Sequence, residues 1–435
     1  MTAPNPQAGI LSVGDALVTH TADGVDLTSL WNELTEAWDA ANAQRSAISN
    51  LLSYPTTDSA AIVPQNIMPP EFELASELGV PKSIGTPADT LVLGARLLDF
   101  DLAHRASWRY LRAASADQVR ATMNSVLEAD TRNINGTLMF RLFNPAQEKN
   151  EWQQPCYSIW NGADGIAPPP WLGKSFDTDH THFIPTGADQ IDSDDLESGF
   201  RTVTEHGYGL KENGNQLLVF CNEAESEFIQ SFRAGEVSRT SGPTAKFSFI
   251  PSVAAPPYLS PDFVIGEPAP AQFGGLDVVG SYGPAYIIET TYVPAGYLAI
   301  VATGGPGALN NALSFRQHEN PNYQGSRLIP GPNASYPITE SFSARSFGTG
   351  TRHRGAAAVL QVTTDEDYSP PAKTAFGIRQ PNGTQSPPRH ATGWPAVIDR
   401  LTARAGCVRG CRDVAGVHVR SARRRAPQCE TVGIQ

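Results

Sequence analysis

One uninterrupted helical signal between Ser115 and Pro145 constrains this chain more than any other feature. The stretch "SADQVRATMNSVLEADTRNINGTLMFRLFNP" opens on a serine suited to cap a helix and closes on Asn144-Pro145, where a helix must stop. Between them Val119, Met123, Val126, Leu127, Ile134, Leu138 and Met139 keep helical phase. The spacing predicts one helix over Ala116–Phe143, nearly eight turns long. A helix of that length with a single apolar stripe needs a sheet against which to bury it. It is read as a spine, and its Met and Leu residues as core.

Other segments fall into place around the spine. Leu27, Leu30, Trp31, Leu34 and Trp38 predict a helix over Leu27–Leu52, ended by Tyr54-Pro55. Thr90–Phe100 and Trp108–Leu111 read as a two-stranded arm, with Leu97, Leu98 and Leu102 leaving a helix open there. Asp192–Tyr208 reads as a helix with Asp194, Asp195 and Glu197 in its first turn, favoured by the helix dipole. Gly207 and Gly209 suit its exit. "NQLLVFCN" is a buried strand and "EAESEFIQSFR" a further helix. "AYIIETTYVPAGYLAIVAT" reads as two strands joined by a Pro-Ala-Gly turn, and Ala356–Val362 as a last apolar strand. Helices and strands interleave without a regular βαβ series, and no internal repeat occurs.

Composition narrows the function classes. The 435 residues include 38 Gly and 35 Pro, which favours turns and loops over a helical bundle, and the formal net charge is −12. That sign argues against a free-standing nucleic-acid reader, though not against a shell that encloses nucleic acid. No apolar run reaches membrane-spanning length, and the N-terminal stretch lacks the pattern of a secretory signal. Five cysteines without a disulfide spacing predict a reduced, cytosolic body. Residues 379–435 differ in kind. They hold ten Arg, no Lys and three acidic residues, a net of +7 against −19 for residues 1–378. A basic arm on nucleic acid and a zinc site from Cys407, Cys411, His418 and Cys429 are open readings. The preferred one is an unfolded or out-of-frame extension, because the Cys-x-x-x-Cys spacing is loose for a zinc knuckle.

The chemistry-bearing stretch is "KSFDTDHTHFIPTGADQIDSDDLESGF". His180 and His182 are two apart, so in an extended chain both imidazoles face one side. Asp177 and Asp179 add carboxylates, but a metal site needs a third ligand and no second motif supplies one. The two histidines are read as structural polar groups. "ATGGPGALNN", Ala302–Asn311, lacks the order of a phosphate loop and reads as a turn. In "TRHRG", Arg352, His353 and Arg354 suit either phosphate or a strand end exposing charge to a partner subunit. No nucleophile elbow or Cys/His pair occurs, so no catalytic, cofactor or metal residue is assigned.

The order of these parts resembles the major capsid proteins of long-tailed actinobacterial phages and prophages. It runs from an N-terminal helical arm through a β arm and the spine ending "GTLMFRLFNP" to "FGTGTRHRGAAAVLQVT". The resemblance spans about Gly24 to Phe376 and is most specific around His180–His182, Glu205–Gly209 and Phe347–Gly355. It implies an α+β, Hong Kong 97-like fold and a self-assembling, non-enzymatic virion subunit. The implied division is an N-terminal arm (1–70), an extended loop (71–114), a peripheral domain with the spine (115–190), an axial domain (191–330), a return to the peripheral domain (331–378) and the tail (379–435). Implied partners are further copies in hexamers and pentamers, with scaffold, protease and portal proteins, around double-stranded DNA that is not read by sequence. No cofactor and no membrane are implied, and assembly would occur in the host cytoplasm. Two rivals stand beside it: an encapsulin-like nanocompartment shell, and a metal-dependent hydrolase using His180 and His182.

Overall fold

The structure is a computed structural model. It describes residues 19–64, 72–75, 77–80, 90–172, 174, 176, 179–254, 268–330 and 338–378. The tail from Arg379, with its cysteines, and Asp177 lie outside the described residues.

The expected first helix is broken in two, α1 (Leu27–Ala43) and α2 (Ala47–Leu52). Leu30, Leu34 and Trp38 are buried on α1, whereas Trp31 is exposed. On a continuous helix Ile48, five turns beyond Leu30, would stay on the same face, so apolar phase carries on across the break. Ser46 starts a new helix by accepting from Ser49 N–H, and α2 buries Ile48, Leu51 and Leu52. Before Pro55 the chain is already extended, in β1 (Ser53–Thr56).

Strand β2 (Ala60–Pro64) pairs antiparallel with β3 (Thr90–Gly94). Strand β4 (Leu98–Ser107) follows, and Trp108–Ala113 is a short helix, α3, capped by Ser107. This corrects the two-stranded arm: β3 and β4 find partners elsewhere, and Trp108–Leu111 is helical. The spine is α4, Ala116–Phe143, with the expected bounds. Ser115 and Gln118 form a capping box at its start. At its end Tyr368 Oη donates to the Phe143 carbonyl at 2.7 Å, and Arg141 donates to the Ala146 and Cys156 carbonyls. Burial concentrates in its second half. Leu138, Met139, Leu142 and Phe143 are fully buried, while Val119 and Leu127 are only partly so. A side chain on Gly136 would strike the Phe376 carbonyl, which explains a glycine in mid-helix.

Among the described residues two sheets dominate. The larger contains β5 (Phe183–Pro185), β6 (Gln216–Cys221), β7 (Phe249–Pro251), β8 (Gly280–Tyr282), β9 (Ala285–Glu289), β10 (Tyr297–Thr303) and β14 (Ala357–Gln361), in the order β5-β14-β10-β6-β9-β8-β7. Every residue of β6 and β14 is buried. The Pro-Ala-Gly connection joins β9 to β10, but they do not pair: β6 lies between them, parallel to β9 and antiparallel to β10. The second sheet is built on β13 (Ile338–Thr351), which takes β4 along residues 338–347 and also pairs β12 (Ser326–Pro330) and β11 (Leu313–Gln317); β1 adds to β11. Helix α5 (Ser193–Thr204) buries Leu196, Phe200 and Val203, and α6 (Glu223–Gln230) follows β6. Gly199 lets α5 close on Ile300 of β10. One apolar core joins α2, the second half of α4, α5 and both sheets.

Candidate functional site

His182 immediately precedes β5. Its N–H donates to the Trp160 carbonyl at 2.9 Å, and its carbonyl accepts from Val359 N–H at 2.8 Å. These bonds hold it wholly buried. Its Nδ1 lies 2.7 Å from the Ala357 carbonyl of β14. A carbonyl only accepts, so Nδ1 carries the proton and Nε2 presents a lone pair. Burial pushes the His182 pKa down to about 3, outweighing the Ala357 carbonyl, and keeps the ring neutral.

The two-residue spacing places His180 on the same side, with its Nε2 3.2 Å from that of His182. A third imidazole arrives from α5. Asp192 caps this helix by accepting from Asp195 N–H, and Asp195 returns the bond from Asp192 N–H at 2.9 Å. Burial beside Asp192 raises the Asp195 carboxyl to about 7. Past its C-terminal end, Gly207 and Gly209 at φ of +82° and +71° turn the chain, and His206 swings back so that its Nε2 lies 2.9 Å from that of His180. Phe176 stacks on His206 at 3.7 Å between centroids and reaches the other two rings at 5.6 Å. The expectation that no second element could meet His180 and His182 is therefore corrected. His206 is 24 residues beyond His182 in no recognisable ligand motif, so nothing local in the sequence announced it. Asp179 is exposed.

The "TRHRG" stretch turns inward. Arg354 is 1% exposed and forms an ion pair with Asp164. It also donates to the Ser158 carbonyl at 3.1 Å and the Ile166 carbonyl at 2.7 Å, and lies over the rings of Tyr157 and Trp160. His353 is buried, with Nε2 on the Leu309 carbonyl and Nδ1 on Tyr208 Oη; burial lowers its pKa to about 4. Neither side chain meets an external phosphate or exposes charge to a partner, which corrects that reading for Arg354 and His353. In Ala302–Asn311 the first two residues end β10 and the rest is a turn, held by Asn311, which accepts from Thr303 Oγ1 and donates to the Asn50 carbonyl. Cys156 and Cys221 are buried and free; burial raises the Cys156 thiol to about 11 and Cys221 further. A groove of about 860 Å³ lies away from the histidines, lined by Phe100, Val126, Asp130, Tyr292, Arg345 and Phe376. Two of its four charged groups, Asp130 and Arg345, pair with each other at 2.7 Å, and Asp101 and Arg132 also line it.

No family model matches the chain, and no curated protein matches it. Solved structures do. A chain of Mycobacterium phage Patience is 39% identical, covering 86% of this chain and 99% of its own length, with a TM-score of 0.63. A capsid chain of an empty GTA particle is 14% identical over 73% of this chain and 91% of its own, with a TM-score of 0.42. A chain of the holo-SrpI encapsulin complex from Synechococcus elongatus is 13% identical over 78% and 98%, with a TM-score of 0.39. The mixed α and β architecture and the near-complete coverage of the Patience chain lead to one assignment: the chain belongs to the phage major capsid proteins and is a structural subunit of a phage capsid.

Proposed function

We propose that this subunit adopts the Hong Kong 97-like arrangement and assembles into hexamers and pentamers around double-stranded DNA. The division is the one implied above: arm 1–70, extended loop 71–114, peripheral domain 115–190 and 331–378, axial domain 191–330, and tail 379–435. The subunit catalyses no reaction. Scaffold, protease and portal proteins act with it, and assembly takes place in the host cytoplasm. The net charge of −19 over residues 1–378 suits an interior that must not grip DNA during packing.

The observation that carries this reading is the segment between β2 and β3. Phe72, Leu74, Leu78 and Val80 are each more than 90% exposed in the single chain. Four such side chains in one short segment call for a partner surface. Covering them would contribute roughly 6–12 kcal/mol per subunit, at about 1.5–3 kcal/mol each. A second copy of the chain is the natural cover in a closed symmetric shell. Sedimentation and negative-stain electron microscopy of the expressed chain test this, with and without its scaffold partner. Hexamers, pentamers or shells are expected, and Leu74→Asp/Leu78→Asp should leave folded, unassembled subunits. A wild-type chain that stays monomeric at high concentration under both conditions would refute the proposal.

A further inference from the structure

We propose that His180, His182 and His206 form a tris-imidazole site for a zinc-class divalent cation, clasping the segment before β5 to the end of α5. One ring nitrogen from each histidine lies within 4.8 Å of the other two. His180 Nε2 lies 2.9 Å from that of His206 and 3.2 Å from that of His182.

Hydrogen bonding within the trio cannot account for this convergence. Each ring nitrogen has one in-plane direction, holding either a proton or a lone pair. His182 Nε2 holds a lone pair, because its Nδ1 proton is committed to the Ala357 carbonyl. His180 Nε2 faces two nitrogens with that single direction. With a proton it shares one weak, divided bond; without one, it opposes the lone pair of His182. A cation at the centre would instead receive a lone pair from each ring.

The geometry is close to what such an ion requires. Zinc to imidazole bonds of about 2.0–2.1 Å in a tetrahedron place ligand nitrogens about 3.3–3.4 Å apart, so the two separations from His180 need open by only a few tenths of an ångström. The Ala357 carbonyl on His182 Nδ1 is the outer partner that fixes a ligating ring. His182 and His206 are buried and Phe176 covers the rings, while His180 is partly exposed, leaving the fourth position to water. Imidazole donors without a thiolate favour zinc, copper or nickel over magnesium or calcium. On the proposed division at residue 190, the clasp joins the peripheral to the axial domain; that clause rests on the proposed function, whereas the metal content does not.

The test is elemental analysis of tag-free, full-length protein equilibrated with zinc sulfate and then gel-filtered. About one zinc per chain is expected, with His180→Gln and His206→Gln each reducing it at least tenfold. Cobalt(II) added to the metal-free protein should give visible bands of a tetrahedral site, absent in both variants. EDTA should lower the melting temperature of the wild type and leave His180→Gln unmoved. His180 is the outermost ring, so that variant keeps the test open if His206→Gln fails to fold. Two results overturn the proposal: a wild-type chain with less than about one-tenth of a zinc and no cobalt bands, or stoichiometric zinc retained in both variants.

Discussion

Replacing Arg354 by methionine, which keeps the length and apolar bulk of the stem, should destabilise the subunit severely. The guanidinium is 1% exposed and serves three acceptors: the Asp164 carboxylate and the carbonyls of Ser158 and Ile166. Removing one partner of a buried ion pair costs about 3–5 kcal/mol, because the other charge stays buried. A stranded carboxylate can take a proton instead, and for an ordinary aspartate at pH 7 that costs about 4 kcal/mol, much the same sum. Each unsatisfied carbonyl adds about 1–3 kcal/mol unless water reaches it. Losses of about 5 kcal/mol are comparable with the whole stability of many domains. The double variant Arg354→Met/Asp164→Leu removes both charges and should recover the ionic part, leaving about 2 kcal/mol or more from the two carbonyls. Urea unfolding of unassembled subunits, followed by tryptophan fluorescence, reads this directly, since Arg354 lies 5.2 Å from the buried Trp160 ring. A loss below about 1 kcal/mol in the single variant, or a double variant less stable than the single, would show that Arg354 is not the internal tether described here.

Three further outcomes are expected. Leu138→Ala, at a fully buried site on the spine, should cost about 2–5 kcal/mol, and Leu127→Ala clearly less because that residue is only partly buried; equal losses in urea unfolding would contradict this phasing. Asp195 titrates near 7 in the fold against about 4 unfolded, so the folded state holds a proton the unfolded state has lost, and stability from this group falls as pH rises from about 4 to 7. Asp195→Asn should therefore gain on the wild type in melting temperature across that window, and a difference that is flat with pH would argue against the raised carboxyl. A chain ending at Ile378 should fold and assemble like the full-length protein, since Phe376 and Ile378 already pack on the core; failure to fold would make the remaining 57 residues structural.

The boundaries of the spine, the acidic first turn of α5 and the buried runs of β6 and β14 were legible in the sequence. Each is specified by neighbours: a serine and a glutamine three apart, a proline that forbids a further turn, an unbroken apolar run. The break at Ser46 was harder to see, because helical phase looks continuous until α2 must meet the spine. Pairing was not legible at all. Nothing in "AYIIETTYVPAGYLAIVAT" says that β6 inserts between its two strands, because backbone hydrogen bonds carry no side-chain signature and the partner is distant in sequence. Arg354 looked like exposed charge for the same reason. Its fate depends on Asp164, 190 residues earlier, and a side chain's burial belongs to the assembled core rather than to its neighbours. The histidines show both halves of the matter. Two-residue spacing put His180 and His182 on one side of an extended chain, and only the packing of α5 on the sheet delivered His206 to them.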